Sequence, residues 1–209
     1  MTAAVGVILD QASNTQKYFG GGQVDTRAKN VSNDNDHHTD DITAITISSD
    51  RRFAASGQVG SAPAAFLWDA ATGQKQQRFK LTKGARGVDA IAISNDGTLV
   101  ALVDRHDQHN VYVFDVASGA GSSKPGDTNR IFDICFSNRP GDNSFVTAGS
   151  KHIKFWDPST LEGKKGIFGE GGEATSFACV ATDDQGNAFT GGANSMIYVW
   201  QERTCKQAF

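Results

Sequence analysis

The sequence predicts an all-β protein assembled from repeated four-stranded sheets, and three features carry that prediction. Apolar residues come in runs of five to seven, often alternating, bounded by Gly, Asn, Asp and Ser, the pattern of many short strands. Glycine is frequent (23 residues), proline is scarce (4), and no long segment shows a helical period. One three-strand pattern also recurs about every 44 residues, and a fixed period of that size marks stacked repeat units.

The first strand of the unit is Ile42–Ser48, followed by a polar turn at Asp50-Arg51-Arg52. It returns as Val88–Ser94 with Asn95-Asp96-Gly97, as Ile131–Ser137 with Pro140-Gly141-Asp142, and more loosely as Phe177–Asp183 with Gln185-Gly186-Asn187. A second strand ends in small residues in most copies: Ala54-Ala55-Ser56-Gly57, Val100-Ala101-Leu102-Val103, Val146-Thr147-Ala148-Gly149 and Phe189-Thr190-Gly191-Gly192. A third ends in an aromatic: Trp68-Asp69, Phe114-Asp115, Trp156-Asp157 and Trp200-Gln201. These aromatics recur at intervals of 46, 42 and 44 residues, and the first strands at 46, 43 and 46. A unit of about 40–45 residues with four strands and a Trp-Asp ending is the signature of a β-propeller blade.

A lone four-stranded sheet has two faces to cover, so such blades stack around an axis to become dry. The aromatic closing the third strand fills the seam between blades, and small residues in the second strand let sheets approach. His38, ahead of the first unit, is placed to join Ser56 and Trp68 in a buried chain from imidazole to hydroxyl to indole N–H. Later units carry no clear His at that place, so the network is expected to degenerate along the chain. The expected layout is a lead-in over 1–37, with a flexible insertion at about 20–36, then blades at roughly 38–82, 83–127, 128–170 and 171–209.

Charge and composition narrow the function. The 20 Lys+Arg against 23 Asp+Glu give a formal net charge of -3, which argues against nucleic acid or a membrane surface as partner. No apolar run approaches the roughly 18 residues of a bilayer span, and MTAAVGVILD lacks the basic start of a secretory signal. Three cysteines (Cys135, Cys179, Cys205) without Cys-x-x-Cys spacing argue against a disulfide framework or structural zinc and fit a reducing, cytoplasmic setting better. Cys205, nearest an end, is the thiol expected to be exposed.

Beyond the generic blade, the chain resembles the first blades of the tandem propellers in echinoderm-microtubule-associated-protein-like (EMAP-like) proteins. The match is carried by His38-Thr39-Asp40-Asp41-Ile42, by Ala55–Gly60, most distinctively by Phe145–Trp156, and by Lys164–Gly169. Ala3–Leu9 and Gln16–Phe19 resemble the end of that family's lead-in region. The resemblance implies a non-enzymatic scaffold that binds microtubules, tubulin or another cytoskeletal assembly, in cytoplasm or cilium. A generic adaptor in a signalling or ubiquitin-ligase complex is the alternative. It also implies more blades than the four that 209 residues supply, so the chain reads as an incomplete propeller or fragment whose open blade edge favours self-association.

Candidate chemistry is sparse. The acidic run Asp34–Asp41 contains His37 and His38 but lacks the spacing of a calcium loop. Gly20-Gly21-Gly22 lacks the Gly-Lys-Ser/Thr of a phosphate loop, and no Gly-x-Ser-x-Gly elbow occurs. No catalytic, cofactor or metal residue is therefore assigned. One charge pattern stands out: between Asp69 and Asp89 no acidic residue occurs, while Lys75, Arg78, Lys80, Lys83 and Arg86 all do. That strip is the candidate contact for an acidic partner, with alternation placing Lys75 and Lys80 on different faces of an edge strand; such lysines also discourage aggregation. Lys151, Lys154, Lys164 and Lys165 form a second, weaker group.

Overall fold

The computed structural model describes residues 4–20 and 37–209. A hairpin of β1 (Val5–Asp10) and β2 (Thr15–Gly20) precedes four antiparallel sheets of four strands each. Blade one is β3 (Ile42–Ile47), β4 (Phe53–Gln58), β5 (Ala64–Asp69) and β6 (Lys75–Lys80). Blade two is β7 (Val88–Ile93), β8 (Leu99–Asp104), β9 (Val111–Asp115) and β10 (Gly121–Lys124). Blade three is β11 (Ile131–Phe136), β12 (Phe145–Gly149), β13 (His152–Asp157) and β14 (Glu162–Lys165). Blade four is β15 (Phe177–Thr182), β16 (Asn187–Gly192), β17 (Ile197–Gln201) and β18 (Thr204–Ala208). Strands pair in sequence order within each sheet, and no helix occurs among the described residues. The insertion expected over 20–36 lies, beyond Gly20, outside them.

Short polar side chains make the turns. Ser48 Oγ donates to Asp50 at 2.7 Å and accepts the Phe53 N–H at 2.9 Å. Ser94 repeats this with Asp96 and Leu99 at 2.6 and 2.9 Å. Asp69, Asp115 and Asp157, closing the third strands, accept the backbone N–H groups of Thr72, Ser118 and Ser159 at 2.7, 2.8 and 2.8 Å. A carboxylate that captures its own downstream backbone reverses the chain into the fourth strand. A bulge falls at one place in all four first strands, after Ile42, Val88, Ile131 and Phe177, and sharpens the twist there.

The core lies in the seams. Ala55, Leu67 and Phe79 of blade one meet Ile91, Leu102 and Phe114 of blade two. Val103 and Val111 meet Ile134, Phe145 and Trp156, and Val146, Ala148 and Ile153 meet Phe177, Tyr198 and Trp200. Phe114, Trp156 and Trp200 thus each face the blade before their own. Close approach needs Gly57, where a Cβ would sit 2.4 Å from Val88 Cβ. Polar ties cross the seams as well: Thr43 Oγ1 donates to the Val88 carbonyl at 2.7 Å, and half-buried Asp133 accepts the Val180 N–H at 2.8 Å.

Blade one has the hairpin in place of a preceding sheet. Phe19, 2% exposed, packs on Trp68 with ring centroids 5.2 Å apart. The cover is partial, because Ile45 and Ile47 on that same face remain 59% and 57% exposed. At the other end of the stack blade four leaves Ile197 and Phe209 53% and 63% exposed. The inner strands pack in the series β3, β7, β11, β15, an arc of blades rather than a closed ring. Cys205 departs from expectation: it pairs with Trp200 in register, faces blade three and is 3% exposed. Cys179, on the uncovered face of blade four, is the exposed thiol.

Candidate partner-binding surface

The residues singled out as structural assemble around the tryptophans. In blade one the Trp68 indole N–H donates to Ser56 Oγ at 2.8 Å, Ser56 Oγ lies 2.6 Å from His38 Nε2, and His38 Nδ1 lies 2.8 Å from Gln58 Oε1. With the indole able only to donate and the amide oxygen only to accept, the polarity is fixed: the hydroxyl donates to Nε2, and Nδ1–H donates to Gln58. Burial pushes the His38 imidazole down from 6.5 to about 4, only partly offset by the Gln58 bond.

Later blades do not simply lose this chain. Blade two drops both partners together: Leu102 stands where Ser56 stands and Phe114 where Trp68 stands, so no N–H is left wanting a hydroxyl. Blade three rebuilds it. Trp156 N–H donates to Thr147 Oγ1 at 2.8 Å, and Thr147 Oγ1 lies 2.7 Å from His152 Nε2. His152 Nδ1 lies 3.1 Å from Asp127 Oδ2, bent away from a straight hydrogen bond. Here the imidazole comes from the first residue of the third strand, and the acceptor from the segment before the first strand, whereas in blade one the imidazole precedes the first strand. Desolvation lowers His152 to about 4 despite the carboxylate. In blade four Trp200 N–H donates to Thr190 Oγ1 at 2.9 Å.

The basic strip divides in two. On β6, Lys75, Arg78 and Lys80 pair with Trp68, Phe66 and Ala64, so all three share the hairpin-side face. The expectation that Lys75 and Lys80 point oppositely fails because a bulge between Leu67 and Trp68 inserts one residue and restores the phase. Arg78 lies with its guanidinium 6.0 Å from the Phe66 ring centroid. Lys83 and Arg86 leave the strand for the loop before β7, where Arg86 pairs with Asp107 at 2.8 Å. Both partners are well exposed, and such pairs contribute little.

Two further groups gather on the loop surface between second and third strands. Buried Asp89 holds Arg105 at 2.7 Å, with Arg130 at 3.8 Å resting against half-exposed Phe132. On blade three, Lys151, Lys154 and Lys165 line one cleft with His152, while Lys164 lines another. Among the described residues no group of three or more His, Cys, Asp or Glu is arranged to hold a metal ion. In the acidic run, His38 is committed to Ser56 and Gln58, and Asp34–Asp36 lie outside the described residues.

Sheets stacked through aromatic seams, each about 44 residues after the last, with His–hydroxyl–Trp chains, define a segment of WD-repeat β-propeller. A family model described as the echinoderm microtubule-associated protein first beta-propeller matches residues 36–209, and the chain belongs to that family. It is 49% identical over 202 residues, 95% of its length, to the ciliary WD repeat-containing protein ctxp80 of Euplotoides octocarinatus. It is 29% identical over 184 residues to human echinoderm microtubule-associated protein-like 3, and 28% over 176 residues to the 77 kDa echinoderm microtubule-associated protein of Strongylocentrotus purpuratus, each across 78% of its length. The chain spans 28%, 20% and 25% of those three proteins.

Proposed function

We propose that the chain is a non-enzymatic scaffold that associates with microtubules or tubulin within a cytoskeletal array of the ciliary kind. The observation that carries this reading is the 49% identity, across 95% of the chain, to a protein named as ciliary, within a family named as microtubule-associated. The site chemistry supports it. The two buried histidines, which with hydroxyl and acceptor could mimic a nucleophile triad, are sealed against tryptophan with Ser56 and Thr147 fully buried. The contact offered to an acidic lattice is the cationic face of β6, Lys75, Arg78 and Lys80, with Lys83 and Arg86 beside it.

Co-sedimentation with microtubules at two salt concentrations tests the proposal. Pelleting is expected at low salt and should weaken as added salt shortens the Debye length below about 10 Å. Joint substitution Lys75→Glu, Arg78→Glu and Lys80→Glu should reduce pelleting. A folded sample that stays in the supernatant at low salt overturns the reading.

A further inference from the structure

The cleft on blade three, about 530 Å³ in volume, falls within the size range of ligand sites. It is lined by His152 and Asp127, by Lys151, Lys154 and Lys165, by the hydroxyls of Thr175 and Ser176, and by the apolar side chains of Ile153 and Phe168. Lys154 and Lys165 are direct cross-strand partners, and like charges so placed repel. Asp127 is the single carboxylate in the cleft, and it is already engaged by Lys154 at 3.1 Å, His152 at 3.1 Å and the Asn129 N–H at 3.0 Å. Among the described residues no carboxylate pairs with Lys151 or Lys165. Ser176 Oγ accepts the Lys151 N–H at 3.1 Å, which leaves its own proton to donate. His152 Nδ1, fully buried, lacks a well-aligned partner. Cations and hydroxyl donors therefore converge on one concavity with their local counter-charge spent.

We propose that this cleft receives the acidic side chains of a partner segment, a glutamate-rich peptide, with carboxylates between Lys151, Lys165 and Ser176 and methylene stems against Phe168 and Ile153. The apolar wall favours such a side chain over a bare phosphate, which has no methylenes to bury. This deepens the microtubule reading by naming a second contact and the partner chemistry it takes, but peptide binding itself does not depend on that reading.

The test is titration of the full chain with a hexaglutamate peptide and, separately, with inorganic phosphate, followed by calorimetry and by the His152 imidazole resonances. The peptide should bind, shift His152, and lose about tenfold in affinity in Lys165→Glu, the loss of one charge-assisted contact. Lys151→Gly is the fold-safe companion, because Lys151 sits at φ 50, where glycine is favoured. It should keep the melting temperature and still lose peptide affinity. Absence of peptide binding, affinity unchanged in both variants, or binding of phosphate alone overturns the proposal. Microtubule pelleting separates the two readings. Pelleting that is equal in wild type and Lys165→Glu, with no peptide bound by either, sinks the cleft and leaves the function standing. Peptide binding without pelleting does the opposite.

Discussion

Blade one and blade three bury the same hydrogen-bond chain, yet they draw its parts from opposite places. In blade one the imidazole of His38 precedes the first strand and ends on the neutral amide of Gln58 at the end of the second. In blade three His152 opens the third strand and ends on the carboxylate of Asp127, ahead of the first strand. What is preserved is the need, not the residue position. A buried indole N–H requires an acceptor, the hydroxyl that accepts it must donate onward, and an imidazole passes the polarity to a second acceptor. Blade two supports that view: with Phe114 there is no N–H to satisfy, and Leu102 replaces the hydroxyl without leaving an orphan.

The comparison can be strained hardest with acid. Both imidazoles are held neutral, from 6.5 down to about 4. Between those values the unfolded chain takes up protons that the folded chain refuses. Stability should therefore be full above pH 6.5 and fall as pH drops to about 4, by up to about 3 kcal/mol per histidine. Denaturant unfolding across that window, repeated in His38→Gln and His152→Gln, should show each substitution removing about half of the slope in the upper part of the window, before the aspartates held below 3.8 add their own slope near pH 4. Next in size is the cover over blade one. Phe19→Ala should cost about 3 kcal/mol or release the hairpin outright, read as a red-shifted Trp68 emission and rapid amide exchange in β1 and β2.

Thr147→Val strands the Trp156 N–H and His152 Nε2 and should cost about 2 kcal/mol. Adding Trp156→Phe, which copies blade two, should cost less than the two single changes together, and the double-mutant cycle measures that coupling. Smallest is Asp127→Asn, which makes the end of the blade-three chain neutral like that of blade one. Loss of the carboxylate removes the main support for a charged His152, so its imidazole should titrate lower than in the wild type, followed by NMR.

The sequence displayed the blade period because seam aromatics and first strands must recur at fixed places for sheets to stack, and the family followed from ordered motifs such as Phe145–Trp156. The rebuilt chain of blade three is hard to see in sequence because its histidine lies at the start of the third strand and not ahead of the first. The visible signal was Thr147, His152 and Trp156 on successive strands with Asp127 upstream. Nearness to the chain end predicts exposure for Cys205, whereas its register with Trp200 decides its burial. The common face of Lys75 and Lys80 depends on a bulge that residue alternation does not reveal.

The account rests on dry seams that close over the tryptophans, and hydrogen exchange at the three indole N–H groups tests this most directly. Trp68, Trp156 and Trp200 each donate to a buried hydroxyl, so all three protons should exchange only through large-scale opening, with protection falling together in denaturant. Exchange of any of them at the rate of a solvent-exposed indole, in otherwise folded protein, would contradict the account.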